Sequence, residues 1–149
     1  MRINLTDVED RSFEALPAGR YRLKIADYEM REVKGDGKLP KGTPMINWEF
    51  TVICNSKTGD EKYANRKLWM NSIIHEKTLF NLKALLRATG QFTSEDLEGE
   101  IEFEPEDVLG AEVIGVVAQR EYNGDMVNDV KRVIGLSEEE REETSSLLP

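Results

Sequence analysis

The stretch Leu16 to Val33, LPAGRYRLKIADYEMREV, constrains this chain more than any other. Pro17 and Gly19 open it as a turn. Tyr21, Leu23 and Ile25 then alternate with Arg20, Arg22 and Lys24, which is the period-2 pattern of a strand with one apolar and one basic face. At Ile25-Ala26 the phase slips by one residue, and Ala26, Tyr28 and Met30 take over the apolar positions. A slip of one residue would turn the strand inside out, so a β-bulge and a bend are expected there. A long, bent first strand of this kind can serve both halves of a small barrel.

The rest of the chain supplies four more strands and one helix. Lys34 to Gly42, with three glycines, a proline and three lysines, reads as a flexible basic loop. Thr43 to Cys54 is expected as strand two, with Ile46, Trp48, Phe50 and Val52 on its apolar side. Strand three is expected over Glu61 to Asn71, where Ala64, Leu68 and Met70 alternate with Tyr63, Lys67 and Trp69. Ser72 to Thr89 has helical spacing, with Leu79, Leu82, Leu85 and Leu86 on one face and Gly90 placed to end it. Pro105 to Leu109 reads as one helical turn, and the alternation Glu100 to Glu104 as a half-buried strand or extended edge. Ala111 to Tyr122 and Asp125 to Ile134 flank Asn123-Gly124, the strongest short hairpin signal available, because both residues accept positive φ. Phe13 is expected to pack an N-terminal arm onto the domain.

This order, β-β-β-α-β-β with a bulged first strand, predicts a β-rich domain. A five-stranded OB-fold barrel, with its helix between strands three and four, is preferred over an open α+β sheet. The domain is expected over 1–136, followed by an acidic C-terminal tail over 137–149. A chain of 149 residues suits one domain with a real core.

Charge and composition narrow the function. The net charge of −9 argues at first against a polyanionic partner, but it is segregated. Glu95 to Asp107 holds eight acids and no base, and the residues after Leu136 hold five acids and one arginine. The remaining body carries sixteen acids against nineteen bases. No apolar run approaches the ~20 residues that span a bilayer, and the N-terminus does not resemble a signal peptide. The single cysteine, Cys54, fits a reducing cytoplasm. One cysteine and one histidine, His75, cannot build a usual zinc site, and no phosphate-binding glycine loop is present. No enzyme, metal or cofactor is therefore expected.

Binding of a single-stranded nucleic acid needs a positive track for the backbone and aromatic faces for the bases. The candidates for the track are Arg20, Arg22 and Lys24, then Lys34, Lys38 and Lys41, then Arg66 and Lys67, and finally Arg120 and Lys131 with Arg132 beside it. The stacking candidates are Tyr63, Trp69 and Tyr122. Alternating bases are also what a solvated strand face looks like, and Tyr122 could simply cap the barrel end. The tail reads either as a short surface helix capped by Ser137 or as a partner-binding segment. In the second reading Glu138, Glu139 and Glu140 carry the charge and Leu147 and Leu148 the apolar tip.

The runs DVEDRSFEALPAGRYRLKI, GTPMINWEF and NRKLWMN, a leucine-rich helix ending in Thr89-Gly90, and VLGAEVIGVVAQREYNGDMVNDVKRVI resemble a phage-encoded family over about residues 5–135. Its members, often labelled only as a domain of unknown function, are regarded as OB-fold single-stranded-DNA-binding proteins. The resemblance implies non-catalytic binding of single-stranded DNA, without strong sequence preference, in phage replication or recombination. It assigns no individual DNA contacts. An acidic tail with an apolar tip resembles the tails by which replication single-stranded-DNA-binding proteins recruit enzymes. Two rivals remain: a protein-interaction module or DNA mimic using the acidic lobe 95–107, and a metal-dependent nuclease using its carboxylates. An exposed β edge would also permit a homodimer.

Overall fold

β1 (Gly19–Glu32) is the strand on which the sheet is assembled. The structure is a computed structural model, and it describes residues 1–5, 15–35, 37–93 and 95–136. β1 pairs along most of its length with β2 (Pro44–Asn55), and its first half pairs on the other side with β4 (Glu112–Tyr122). β3 (Lys67–Ile73) adds to β2, and β5 (Asp125–Ile134) adds to β4. The result is one five-stranded sheet of order β3-β2-β1-β4-β5, antiparallel at every pair.

The bulge lies where the phase of the sequence slips. Ile25 pairs with Phe50 and Asp27 with Glu49, so Ala26 is the extra residue. Ile25 points into the core, Ala26 and Asp27 both face solvent, and Tyr28 returns to the core side. A second irregularity, opposite Arg22 and Leu23, leaves Ile53 as the extra residue of β2 and bends that strand. β1 therefore leaves β4 after Lys24 and continues with β2 alone.

The sheet curls around one core. Trp48, Phe50, Leu23, Ile25, Ile46 and Val52 are essentially inaccessible, as the alternation in β1 and β2 requires. α1 (Leu79–Ala88) packs against β3 and β5 and inserts Leu82, Leu85 and Leu86. Gly135, just after β5, lies so close to α1 that an added Cβ would stand 3.3 Å from the Ala88 carbonyl oxygen. A 3₁₀ turn, Pro105–Val108, seals another side with Val108.

Three expected boundaries are corrected. β3 begins at Lys67, because Ala64 and Arg66 donate backbone N–H groups to the Glu61 and Tyr63 carbonyls and Asn65 adopts φ 69°. Glu61 to Asn65 is consequently a turn. The helix begins at Leu79, because Ser72 and Ile73 complete β3 and pair with Ile46 and Met45. Glu100 to Glu104 forms no strand; Phe103 alone of that run packs on the core. The expected packing of Phe13 and the tail residues Glu138, Glu139, Glu140, Leu147 and Leu148 lie outside the described residues.

Candidate functional site

The pleat of β2 and β3 puts every second residue on the outer face. Register places Thr51 beside Lys67, Glu49 beside Trp69 and Asn47 beside Asn71. The rows continue onto β1, where Lys24 pairs with Thr51 and Asp27 with Glu49. At the centre stands Trp69, 53% exposed on a strand that pairs on one side only.

On the other side of β3 lies β5. Successive antiparallel pairings make these two edge strands run in the same direction. Among the described residues no ladder joins them. The cleft between them holds two cavities that share Trp69. One, of about 350 Å³, is lined by Asn47, Trp69, Asn71, Asn81, Asp129 and Lys131. The other, of about 360 Å³, includes Arg66, Lys67, Met126 and Asn128. Asn47 Nδ2 donates to Asn71 Oδ1 at 2.7 Å, which fixes both amides at the cleft. Asn128 anchors the rim: it accepts from the Leu16 N–H at 2.9 Å and donates to the Leu16 carbonyl at 2.9 Å.

The electrostatics of this face are mixed. Lys67 Nζ is 3.7 Å from Glu49 Oε1. Asp129 takes both Arg120 (2.8 Å) and Lys131 (3.8 Å). Arg22 donates to Glu112 at 2.6 Å, tying β1 to β4. Among the described residues, Lys24, Lys34, Lys38 and Lys41 make no ion pair. The last three project from the connection between β1 and β2, where Gly42 N–H closes on the Val33 carbonyl and Ile74 N–H reaches the Pro44 carbonyl.

The structure thus gathers Arg66, Lys67, Trp69 and Lys131 along one cleft, with Arg120 behind Asp129. Lys24 joins the same face two strands away. Arg20 and Arg22 lie nearer the start of β1, in the half that pairs with β4, and both are half-buried. Tyr122 is 57% exposed at the hairpin tip, with the Arg120 guanidinium 5.5 Å from its ring centre. Tyr63 is outside the Trp69 row: it sits in the turn before β3 and packs against the core, with Lys62 over its ring. Sequence reasoning missed Asn47, Asn71, Asn81, Met126 and Asp129. Asn71 follows Lys67 and Trp69 at spacing two and was legible by that rule; Asn81 and Asp129 reach the cleft only through tertiary packing.

Away from the cleft, the acidic lobe is held down by Leu97, Val108 and Phe103 while its carboxylates face solvent. Hydrogen bonds from the Thr93 backbone N–H and hydroxyl hold the Asp96 carboxyl below its ordinary range. Tyr28, which donates to Glu106 at 3.2 Å, is pushed up by loss of solvent and by that carboxylate. Among the described residues no group of three or more His, Cys, Asp or Glu is arranged to hold a metal ion. No helix among them is long and apolar enough to cross a membrane.

The fold and cleft define a β-rich protein: a curled five-stranded antiparallel sheet with one helix at its open seam and an exposed tryptophan beside it. The chain belongs to the family described as protein of unknown function DUF669, which matches residues 2–142. Comparison with curated proteins gave no match.

Proposed function

We propose that this protein binds single-stranded DNA in phage replication or recombination, on an OB-type barrel left partly open between β3 and β5. The observation that carries the reading is Trp69: a large aromatic ring, half in solvent, at the centre of β3, with Lys67 and Lys131 on either side. An exposed tryptophan on a rigid strand loses contact with water at little ordering cost when a base stacks on it, and stacking accepts any base. The strand order supports the barrel, because parallel β3 and β5 are the two edges that a five-strand Greek key brings together. In that architecture the face of strands two and three and the two hairpin loops take the strand. Here those loops are the lysine-bearing connection 33–43 and the Asn123-Gly124 turn. Phosphates then lie along Lys24, Lys67, Lys131 and the loop lysines. The acidic tail 137–149 competes for the same cations and recruits partner enzymes.

Titration with oligo-dT, followed by tryptophan emission at two salt concentrations, tests this. Quenching is expected, with affinity falling as salt rises. Trp69→Ala should weaken binding by about 1–3 kcal/mol while leaving the unfolding midpoint in place. Equal affinity for duplex and single strand, or affinity indifferent to salt, would sink the proposal. Removing residues 137–149 should tighten binding; an unchanged affinity would take the tail out of the mechanism. The acidic lobe as a protein-docking surface is the reading left if oligo-dT does not bind.

A further inference from the structure

We infer that β1 beyond its bulge is a pairing edge for a second copy of this chain, with a two-fold axis at Met30 that joins the two sheets. The inference is independent of what the cleft binds. β4 accompanies β1 only as far as Lys24, and Gly110 and Ala111 cover Ile25 with hydrogen bonds of 2.7 and 2.9 Å. From Ala26 to Glu32 no strand lies on that side among the described residues. Val33 donates its N–H to the Thr43 carbonyl at 2.9 Å. Arg31, Glu29 and Asp27, in phase with Val33, therefore turn their main-chain groups towards β2. Tyr28, Met30 and Glu32 turn theirs outward. Asp27 Oδ1 accepts from the Tyr28 N–H at 2.8 Å, but among the described residues nothing on that side meets the N–H groups of Met30 and Glu32.

An open edge attracts any extended chain, and charged side chains on it normally keep partners away. Here the charges select one partner, because their order is self-complementary. With Met30 opposite Met30, an antiparallel second copy sets Glu29 opposite Arg31 and Arg31 opposite Glu29. Within one chain these two side chains already meet at 2.8 Å on an exposed face, so the axis carries a ring of alternating charge. On the other face the two Met30 side chains, each 53% exposed, cover each other. The Met30 main-chain groups bond to their own counterparts, and each Glu32 N–H reaches a Tyr28 carbonyl. Sliding the register either way brings Glu29 onto Glu29 or Arg31 onto Arg31, and like charges directly opposite are destabilising. The ends of the edge agree. Ala26 comes opposite Lys34 of the second copy, beside the turn whose Glu106 accepts from Tyr28 at 3.2 Å. Lys34 makes no ion pair among the described residues of its own chain, and it reaches the acidic lobe of the other. The contact is isologous, so each of these pairings occurs twice and the assembly closes as a dimer.

Sedimentation equilibrium of the full chain through a concentration series tests this. The mass should rise from 17.0 kDa towards twice that value. Arg31→Glu and Glu29→Arg should each weaken self-association about tenfold, because each sets like charges opposite one another at both pairs. An equimolar mixture of the two variants should dimerise as well as wild type, since every acid then faces a base. Met30→Cys, in a Cys54→Ala background, should form a disulfide-linked dimer on mild oxidation, whereas Glu32→Cys should not. Thermal melting checks that each variant is folded. A mass that stays at 17.0 kDa at every concentration overturns the inference and leaves the edge to a strand of another protein. A dimer indifferent to both charge variants, or a mixture that associates no better than either variant alone, overturns it by placing the interface elsewhere.

Discussion

Trp48 and Trp69 sit on neighbouring strands and differ in which way the pleat turns them. Trp48 is wholly buried, and its Nε1 donates to Ser72 Oγ at 2.9 Å. Trp69, opposite Glu49, faces out. Ser72 is itself inaccessible, so Ser72→Ala would leave a buried indole N–H unpaired. A loss of about 1–3 kcal/mol in urea unfolding is expected. Gly115 faces Leu23 so closely that an added Cβ would meet its Cδ1, and Leu23 has no room to retreat. Gly115→Ala should therefore cost about 1–3 kcal/mol by overpacking. Asp96 gives a pH signature. Its folded carboxyl titrates below the ordinary value, chiefly through the Thr93 backbone N–H and then the Thr93 hydroxyl. Its contribution to stability is full above the unfolded pKa and is lost as the pH falls through the depressed folded one. In Thr93→Val the backbone donor survives, so the Asp96 midpoint followed by NMR should rise and still stay below the ordinary value.

At the scale of elements, α1 separates residues that sequence spacing had joined. Leu79 was expected on the same face as Leu82, Leu85 and Leu86, yet it is exposed along with Phe80, at 66%. The helix starts only at Leu79, so its first turn overhangs the seam instead of packing into it. Leu85→Ala should cost about 2–5 kcal/mol, whereas Phe80→Ser should stay within about 0.5 kcal/mol; chemical denaturation of both variants checks the contrast. The strands were legible because burial on one face imposes a period of two, and the slip at Ala26 was legible because that period admits no other remedy. The Asn123-Gly124 turn was legible too, and both residues have positive φ, 50° and 86°. The start of β3 was missed because Glu61 to Arg66 alternates like a strand, while Ala64 and Arg66 bond back into the segment and only Asn65 and Arg66 reach Val52 on β2. At the site, Lys67 and Trp69 followed from alternation. The carboxylates beside the bases did not, since Arg22 and Glu112 are ninety positions apart and meet only through the β1–β4 register.

Across the whole molecule, those pairings decide how a chain of net charge −9 could hold a polyanion. Surface pairs such as Lys67–Glu49 and Lys131–Asp129 add only about 0–1 kcal/mol each to stability. They matter more for binding, because a phosphate approaching Lys67 also meets Glu49. Few counterions gather at a cation already neutralised by its neighbour, so few are released. If the eleven basic residues of the expected track all acted freely, the slope of log affinity on log salt would approach about −8. If only the four lysines of that track that make no ion pair among the described residues, Lys24, Lys34, Lys38 and Lys41, act freely, it should lie near about −3. Oligo-dT titrations across a salt series measure it directly. Glu49→Gln releases Lys67 and should both tighten binding at low salt and steepen the slope by about 0.7. Glu112→Gln, which frees Arg22 on the β4 side of β1, should leave the slope unchanged if the strand runs along the β3–β5 cleft. A slope that steepens equally in both variants would move the strand off Trp69 and onto the outer face of β1.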